Sequence, residues 1–543
     1  MFVGELTQEA FRRYFSVQGG SFFNFLPELC LTLSIIALTL TDLFFKKKNT
    51  RWIIPISLGM LVLTAFAVFI SNEIANNGSF RMFSTLSEAN FFATGKILRP
   101  SAGLIAVDGL AYLMKFILIA ATMIVVFMIW LERELEGKRL GEFLALMFGA
   151  VLGMFIMSSA TNLLLIFIGI EISSLTSYLL VGYVRSNKIA SEGSFKFFVY
   201  GSVSSAIMLF GMSLAYGVTG SLYLHEIVAN SSANPGIMIL SGLLIMFGFA
   251  YKISAFPMHF WAPDAYQAAS IPVTSFLSVA SKVAGFAVLI RFIGTVGVSS
   301  AGIIGTFAQV DWVLILGIIS ILTMFIGNLG AMWQTDLKRL FAFSSIAHAG
   351  YILVGVCGAI AIVNAGSSKD AANAYGAVSL YFWIYLFTNL GAFGIVLIVA
   401  NKLGTSSING FRDIGYRMPT VGIAMVIIIL SLIGIPPTGG FVGKFWLFGN
   451  CVHAANLTTG TTSTFMIVLV LFGVLNSVIS VYYYFRIVKM MYFSGHEPTE
   501  SIGLDPVSIV IICVTVIPVL ILGLSDIWGE LLNLDQSLLR ILA

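Results

Sequence analysis

The stretch GFAYKISAFPMHFWAPD, residues 248–264, begins as an apolar helix and carries Lys252 five residues before Pro257. The stretch GIPPTGGFVGKFW, residues 434–446, has the same parts, with a Pro-Pro pair seven residues before Lys444. A proline removes a backbone donor and clashes with the carbonyl four residues earlier, so both helices are predicted to break. Within a bilayer, non-helical backbone is tolerated only where it is buried in protein or lines water. The two stretches therefore predict two discontinuous helices with a lysine beside each break.

The composition is that of one large membrane domain. Of 543 residues, 58% are hydrophobic, only 10% are charged and 46 are phenylalanine. A soluble core this apolar would aggregate, so we expect a single polytopic domain over residues 1–543 with the lipid bilayer as its surroundings. The net charge of +4 is small for this length. Since no basic cluster is interleaved with exposed aromatic residues, nucleic acid is not an expected partner.

Long apolar runs predict an all-α polytopic membrane protein of about 14 transmembrane helices. Each run has 18 or more residues, about one bilayer thickness, and we number them spans 1 to 14. Their approximate limits are 22–45, 52–71, 104–131, 141–158, 160–183, 194–219, 236–257, 270–295, 311–333, 340–362, 375–400, 418–449, 464–492 and 505–528.

The distribution of Lys and Arg predicts the orientation. These residues are concentrated in the loops that follow odd-numbered spans and are sparse in the loops that follow even-numbered spans. Because cytoplasmic loops hold the excess of positive charge, both chain termini are predicted to lie on the outer side.

Short matching motifs predict an internal repeat. Met154-Phe-Ile156 recurs as Met324-Phe-Ile326, and Phe260-Trp261 recurs as Phe445-Trp446. The spacing indicates two five-helix units, spans 4–8 and 9–13, and an odd number of helices makes the second unit inverted. We therefore divide the domain into three N-terminal spans, a first inverted repeat, a second inverted repeat and a last span, at residues 22–131, 141–295, 311–492 and 505–528.

Four charges lie deep inside apolar spans: Glu171, Lys252, Lys282 and Lys444. On insertion scales each costs about 2.5 to 3.5 kcal/mol at a helix centre, so together they oppose insertion by about 10 to 14 kcal/mol. A lysine held away from water loses its proton more easily than a surface lysine, so a proton relay is the favoured interpretation. The alternatives are ammonium groups that reach the interface and static buried ion pairs.

Other polar groups in the spans are weaker candidates. His348 in span 10 can both donate and accept a proton and is a candidate relay group. Lys196 lies about a turn into span 6, where it can reach the interface, and is also kept as a candidate. Lys115 is expected to pair locally with Asp108 in span 3, and His259 and Asp264 beside the first break are expected to be loop or helix-cap groups.

No motif indicates a cofactor in this chain. The phosphate-binding pattern fails in span 12, because Thr438 stands where glycine is needed and Phe445 stands where Ser or Thr is needed. The four cysteines are scattered without metal-ligand spacing, and no His and carboxylate cluster has it. Any electron transfer is therefore expected on another polypeptide.

The chain resembles the antiporter-like proton-translocating subunits of respiratory complex I, most closely the N-type subunits, over nearly its whole length. The segments that carry the resemblance are Pro27-Glu28-Leu29, Val107-Asp108-Gly109, Gly169-Ile-Glu171, Gly248-Phe-Ala-Tyr-Lys252 through Asp264, Ser281-Lys282, Tyr385-Leu-Phe-Thr-Asn389 and Gly434-Ile-Pro436 through Lys444-Phe445. The resemblance places the family's functional glutamate on Glu171 and its lysines on Lys252, Lys282 and Lys444. A basic residue at position 444 differs from the glutamate typical of M-type subunits and of the D-type subunit of Mrp antiporters.

The resemblance implies a membrane-arm subunit of a complex I type NADH:quinone oxidoreductase, in a bacterial inner membrane. Quinone, flavin and iron–sulfur clusters are then expected on other subunits, and the M-type, K-type and L-type subunits, the last with its lateral helix, are the expected partners. Protons are expected to pass from Lys252 through Lys282, with His348 or water between, to Lys444. The alternatives are an Mrp-type cation/proton antiporter and a structural spacer of the membrane arm. The polar loop 72–103 departs from the family pattern.

Overall fold

The computed structural model describes residues 24–44, 51–77, 104–296, 310–493 and 501–524. These residues form α-helices joined by short turns, with isolated bridges in place of strands, which confirms the predicted all-α class. The first half of the described chain contains nine helices, α1 to α9: Leu26–Phe44, Ile53–Asn77, Gly109–Leu131, Leu140–Ser159, Leu163–Val181, Lys188–Thr219, Leu224–Asn230, Pro235–Ile253 and Trp261–Ala268.

The second half of the described chain contains helices α10 to α18. They are Ile271–Val296, Trp312–Met332, Leu337–Asn364, Ser368–Leu403, Ile414–Arg417, Pro419–Ile433, Gly439–Leu457, Thr461–Tyr492 and Pro506–Ile521. Every predicted span coincides with at least one helix. Twelve of the described helices are long and apolar enough to cross a membrane, whereas α15 and α18 have 15 and 16 residues and are shorter than the predicted spans 12 and 14.

Both predicted breaks are present. Helix α8 ends at Ile253, four residues earlier than predicted, because Ser254 takes a left-handed conformation with φ 59°, and the chain resumes as α9. Helix α15 ends at Ile433, where Gly434 has φ 90°, and α16 begins at Gly439. Glycine takes positive φ without steric cost, so Gly434 suits the end of α15.

Three helices form the centre of the protein. Helices α10, α12 and α13 are buried on nearly all sides, whereas α1, α6 and α17 expose broad apolar faces. A helix that is apolar all round belongs in a core, and an exposed apolar face in a membrane protein suits lipid or a neighbouring protein. The lysines of α8, α10 and α16 therefore surround or lie within the most protected part of the fold.

Candidate functional site

Lys252 reaches from the end of α8 to α5. Its side chain is buried, and Nζ donates to Ser173 Oγ at 2.6 Å and to Ser174 Oγ at 3.1 Å. Because α8 ends one residue later, the ammonium lies near the carbonyl end of a helix, where positive charge is favourable. The ammonium group beside the break is thus hydrogen-bonded to two serine hydroxyl groups.

Glu171 lies on α5, two residues before Ser173, and is half-buried. Its Oε1 accepts a hydrogen bond from Ser205 of α6. Glu171 and Lys252 do not form a direct ion pair in this structure, and the lysine donates to the two serines instead. Glu171 is thus part of α5, and Lys252 contacts the same helix through the hydroxyl groups of Ser173 and Ser174.

Lys282 lies in the middle of α10 with 1% of its surface exposed. Its ammonium donates to the backbone carbonyl of Ser345 on α12. The preceding residue, Ser281, donates to the carbonyl of Lys252 at 3.3 Å. Lys282 thus connects the first break to α12 and has no carboxylate partner among the described residues.

His348 lies one turn beyond Ser345 on α12 and is buried. Its Nδ1 is 2.7 Å from the Tyr381 hydroxyl and its Nε2 is 3.4 Å from the Tyr484 hydroxyl. The Tyr484 hydroxyl is also 2.5 Å from Ser344 Oγ. An imidazole between two hydroxyl groups can accept a proton at one nitrogen and release another from the opposite nitrogen.

Lys444 caps the broken end of α15. Its Nζ donates to the carbonyls of Leu432 and Ile433 at 3.0 and 2.9 Å and lies 3.3 Å from Ser477 Oγ. The last carbonyls of a helix lack intrahelical partners, so the ammonium satisfies two of them and meets the negative end of the helix dipole. The same ammonium lies 4.4 Å above the Tyr351 ring, in cation–π geometry.

Buried tyrosines and asparagines complete the site, and sequence reasoning missed them. Tyr351 packs edge-on against His348 and is 3.3 Å from Asn328 Nδ2, while Tyr483 donates to Asn328 Oδ1 at 3.0 Å. The signal was present as the pair Tyr381 and Tyr385 at helical spacing. In an apolar span, however, the spacing of tyrosines does not distinguish a hydrogen-bonding hydroxyl from an aromatic ring that only packs.

The structure brings Lys252, Lys282, His348 and Lys444 into one buried file that runs through α8, α10, α12 and α16. Lys196 is not part of this file. Its Nζ pairs with Glu192 at 2.8 Å and with Asp264 at 3.1 Å, and its side chain is 42% exposed. Its functional role stays a prediction. Asp264 lies in the first turn of α9 and His259 in the turn before it.

The predicted pairing of Lys115 with Asp108 is wrong. Lys115 pairs instead with Glu28 of α1 at 2.7 Å, and Asp108 forms a double hydrogen bond with Arg291 of α10 at 2.7 and 2.9 Å. The Lys115–Glu28 pair and the Arg291 side chain are buried, whereas Asp108 is half-buried. Both pairs join the N-terminal helices to their neighbours. Their partners lie 87 and 183 residues away in the chain, so only the tertiary fold brings them together.

Within the described residues, no three His, Cys, Asp or Glu side chains are grouped so that they could hold a metal ion. Cys357 and Cys451 are buried, and Cys451 donates to the carbonyl of Val354. The amines, hydroxyls and one imidazole of this site can exchange protons with one another. The expectation that electron transfer takes place on other polypeptides stays a prediction.

Comparison with known proteins gives consistent matches. Residues 160–479 match the transmembrane family described as NADH:quinone oxidoreductase/Mrp antiporter. NADH-quinone oxidoreductase subunit N 2 of Chloroherpeton thalassium is 35% identical over 491 residues, which cover 88% of each chain.

Solved structures share the fold. A chain of respiratory complex I from Thermus thermophilus superposes with a TM-score of 0.68 at 25% identity, covering 93% of this chain and 98% of that one. A chain of the Mrp complex from Dietzia superposes with a TM-score of 0.73 at 19% identity, covering 96% and 97%. The second similarity concerns the fold alone.

Proposed function

The chain belongs to the NADH:quinone oxidoreductase/Mrp antiporter transmembrane family, and from this premise we propose that it is the N-type proton-translocating subunit of a complex I type enzyme. It carries no redox centre itself in this proposal. It couples quinone reduction, which takes place elsewhere in the complex, to movement of protons across a bacterial inner membrane.

The observation that carries the proposal is the set of buried groups from Lys252 through Lys282 and His348 to Lys444. Lys252 and Lys444 each lie at the carbonyl end of a broken helix, and Lys282 and His348 lie between them on the two most protected helices. Buried charges at such depth are expensive and mark ion pathways. A purely structural spacer would gain nothing from three buried lysines that form no ion pair with a carboxylate in the described part of the chain.

We propose that protons move along this file in the order Lys252, Lys282, His348 and Lys444. An ammonium gives its proton to the next neutral amine or imidazole, with water or a hydroxyl between, and becomes neutral until it is loaded again. Glu171 sets the first step, because a change in its distance from Lys252 changes how strongly the ammonium is held. The serines between them provide the alternative partners that such a switch needs.

The assignment of partners and orientation extends this proposal. We propose that K-type and M-type subunits are its neighbours in the membrane arm. An L-type subunit with its lateral helix would lie farther along the arm. Flavin, iron–sulfur clusters and quinone belong to other subunits. The orientation predicted from the loop charges, with both termini on the outer side, belongs to the same proposal, although the termini lie outside the described residues. We also propose that residues 141–295 and 311–492 form the inverted repeats.

The same fold occurs in the Mrp complex, so cation/proton antiport is the alternative to test. We expect the reconstituted complex to translocate protons at its full rate when NADH is oxidised in a medium that contains choline in place of sodium and potassium. The measurement is the fluorescence of a pH indicator inside closed vesicles. A requirement for sodium or potassium would instead support the antiporter.

A further inference from the structure

Glu132 is a buried acid that the relay described above does not use. It follows the last residue of α3 and is 4% exposed, although its neighbours Arg133 and Glu134 are exposed. Oε1 accepts a hydrogen bond from the Glu134 N–H at 3.2 Å, whereas the buried Oε2 has no partner in the described part of the protein. A buried carboxyl with a spare oxygen requires an explanation.

The ends of four helices meet around Glu132. The first N–H of α10, at Ile271, faces the carboxyl group, and Lys338 at the start of α12 lies nearby. The Lys338 ammonium donates to the carbonyl of Ala269 at 2.9 Å, and Asn401 of α13 donates to that of Leu131 at 2.7 Å. The central helices that hold Lys282 and His348 therefore begin or end beside this acid, at the end predicted to be cytoplasmic.

A polar column runs from Glu132 toward Lys282 along one face of α10. Ile271, Ser275, Ser278 and Lys282 follow one another at spacings of four, three and four residues, which places them on one side of the helix. Eleven residues of α-helix span about 16 Å. The serines are fully buried.

Groups from α13 border the same column. Asn389 Nδ2 donates to Ser278 Oγ at 2.7 Å, and the Tyr385 hydroxyl donates to the Ser278 carbonyl at 3.2 Å. The buried Asn389 Oδ1 has no partner among the described residues. Hydroxyl and amide groups with spare hydrogen-bonding capacity are the lining that an internal water chain needs.

We propose that Glu132 takes up protons from the cytoplasmic surface and delivers them through this column to Lys282. A proton from bulk water binds the carboxylate and makes the neutral acid. That acid releases the proton to water in the column, and the neutral amine of Lys282 accepts it and becomes an ammonium. The inference rests on the proposed function, since it names the loading group of the same relay.

The surroundings of Glu132 suit this role. Burial is the largest influence on the carboxyl and, despite the nearby positive charge of Lys338, raises the pKa of Glu132 to about 7. The other charged group that faces it is Glu134, while α10 and α13 present only the Ile271 N–H and the Asn401 amide. At cytoplasmic pH the carboxyl therefore populates both its charged and its neutral form, as a proton-loading group must.

The test is the Glu132→Gln variant of the assembled complex. Glutamine keeps the size and a hydrogen-bonding oxygen for the start of α10 but cannot carry the proton. We expect proton translocation driven by NADH to fall by about tenfold or more, and its dependence on pH near 7 to disappear. The adjacent exposed variant Glu134→Gln is the matched control and should keep the wild-type rate and pH profile.

The outcomes separate this inference from the proposed function. If Glu132→Gln keeps the wild-type rate and pH profile while Lys282→Met stops translocation, Glu132 is not the loading group. If both variants keep wild-type translocation, the proposed function fails as well. If Glu132→Gln does not assemble, Glu132→Asp is the deciding variant, because it keeps a titratable carboxyl group. We expect the pH profile of its proton translocation to be displaced from that of the wild type. An undisplaced profile overturns the inference.

Discussion

Replacing Lys282 with methionine is expected to stop proton transfer through this subunit while the complex still assembles. Lys282 and Arg291 are the charged residues of α10, and the Lys282 ammonium donates to the backbone carbonyl of Ser345. Loss of a positioned proton-transfer group typically slows such a step by about 10²- to 10⁴-fold. Methionine has a similar length, and it leaves no buried carboxylate without its counter-charge.

The matched control for Lys282→Met is Lys402→Met. Lys402 lies near the end of α13 and pairs with the half-exposed Asp505 at 3.2 Å, outside the buried file. Proton uptake by closed vesicles should fall in the first variant and stay at the wild-type level in the second, with equal amounts of assembled complex on native gels. Wild-type proton uptake by Lys282→Met would contradict the relay.

Replacing Arg291 with methionine is expected to cause the largest loss of stability. Arg291 is 2% exposed and binds Asp108 through two hydrogen bonds and the Ser158 carbonyl through two more. Removing one member of a buried pair leaves the other charge unpaired and costs about 3 to 5 kcal/mol. Because Asp108 caps α3, the outer ends of α3, α4 and α10 should loosen together.

Two further variants distinguish a lost ion pair from a general packing defect. Asp108→Asn in the Arg291→Met background removes the unpaired charge and keeps a helix-capping oxygen, so part of the stability should return. Arg51→Met breaks the exposed Arg51–Glu136 pair, and exposed pairs contribute about 0 to 1 kcal/mol. Thermal unfolding of the purified complex measures all three, and equal losses for Arg291→Met and Arg51→Met would refute the assignment.

The helices and the main charges could be predicted from the sequence because each leaves a strong local signal. A bilayer demands long apolar runs, and a lysine such as Lys282 inside one is conspicuous because it is costly. The same holds for the prolines that break spans 7 and 12. The resemblance to N-type subunits, read from these segments, is confirmed by the relatives.

The partners of those charges could not be predicted in the same way. Lys115 has Asp108 nearby in sequence, yet its partner is Glu28, because the packing of α1 against its neighbours decides which carboxylate the ammonium meets. The roles of Tyr381 and Tyr484 could not be predicted either, since a tyrosine in an apolar helix has the same sequence pattern as a packing phenylalanine. Only the structure shows that both hydroxyl groups contact His348. Glu132 sits among charged loop residues, and only the fold shows that it is buried.

The number of protons translocated per electron pair tests the central claim most directly. It is measured in closed vesicles that hold the assembled complex, from simultaneous records of NADH oxidation and internal pH. For Lys252→Met and for Lys444→Met we predict a ratio below that of the wild type, or turnover that stops with translocation, and an unchanged ratio for Lys402→Met. A wild-type ratio at wild-type turnover in both relay variants would contradict a proton path through the buried lysines.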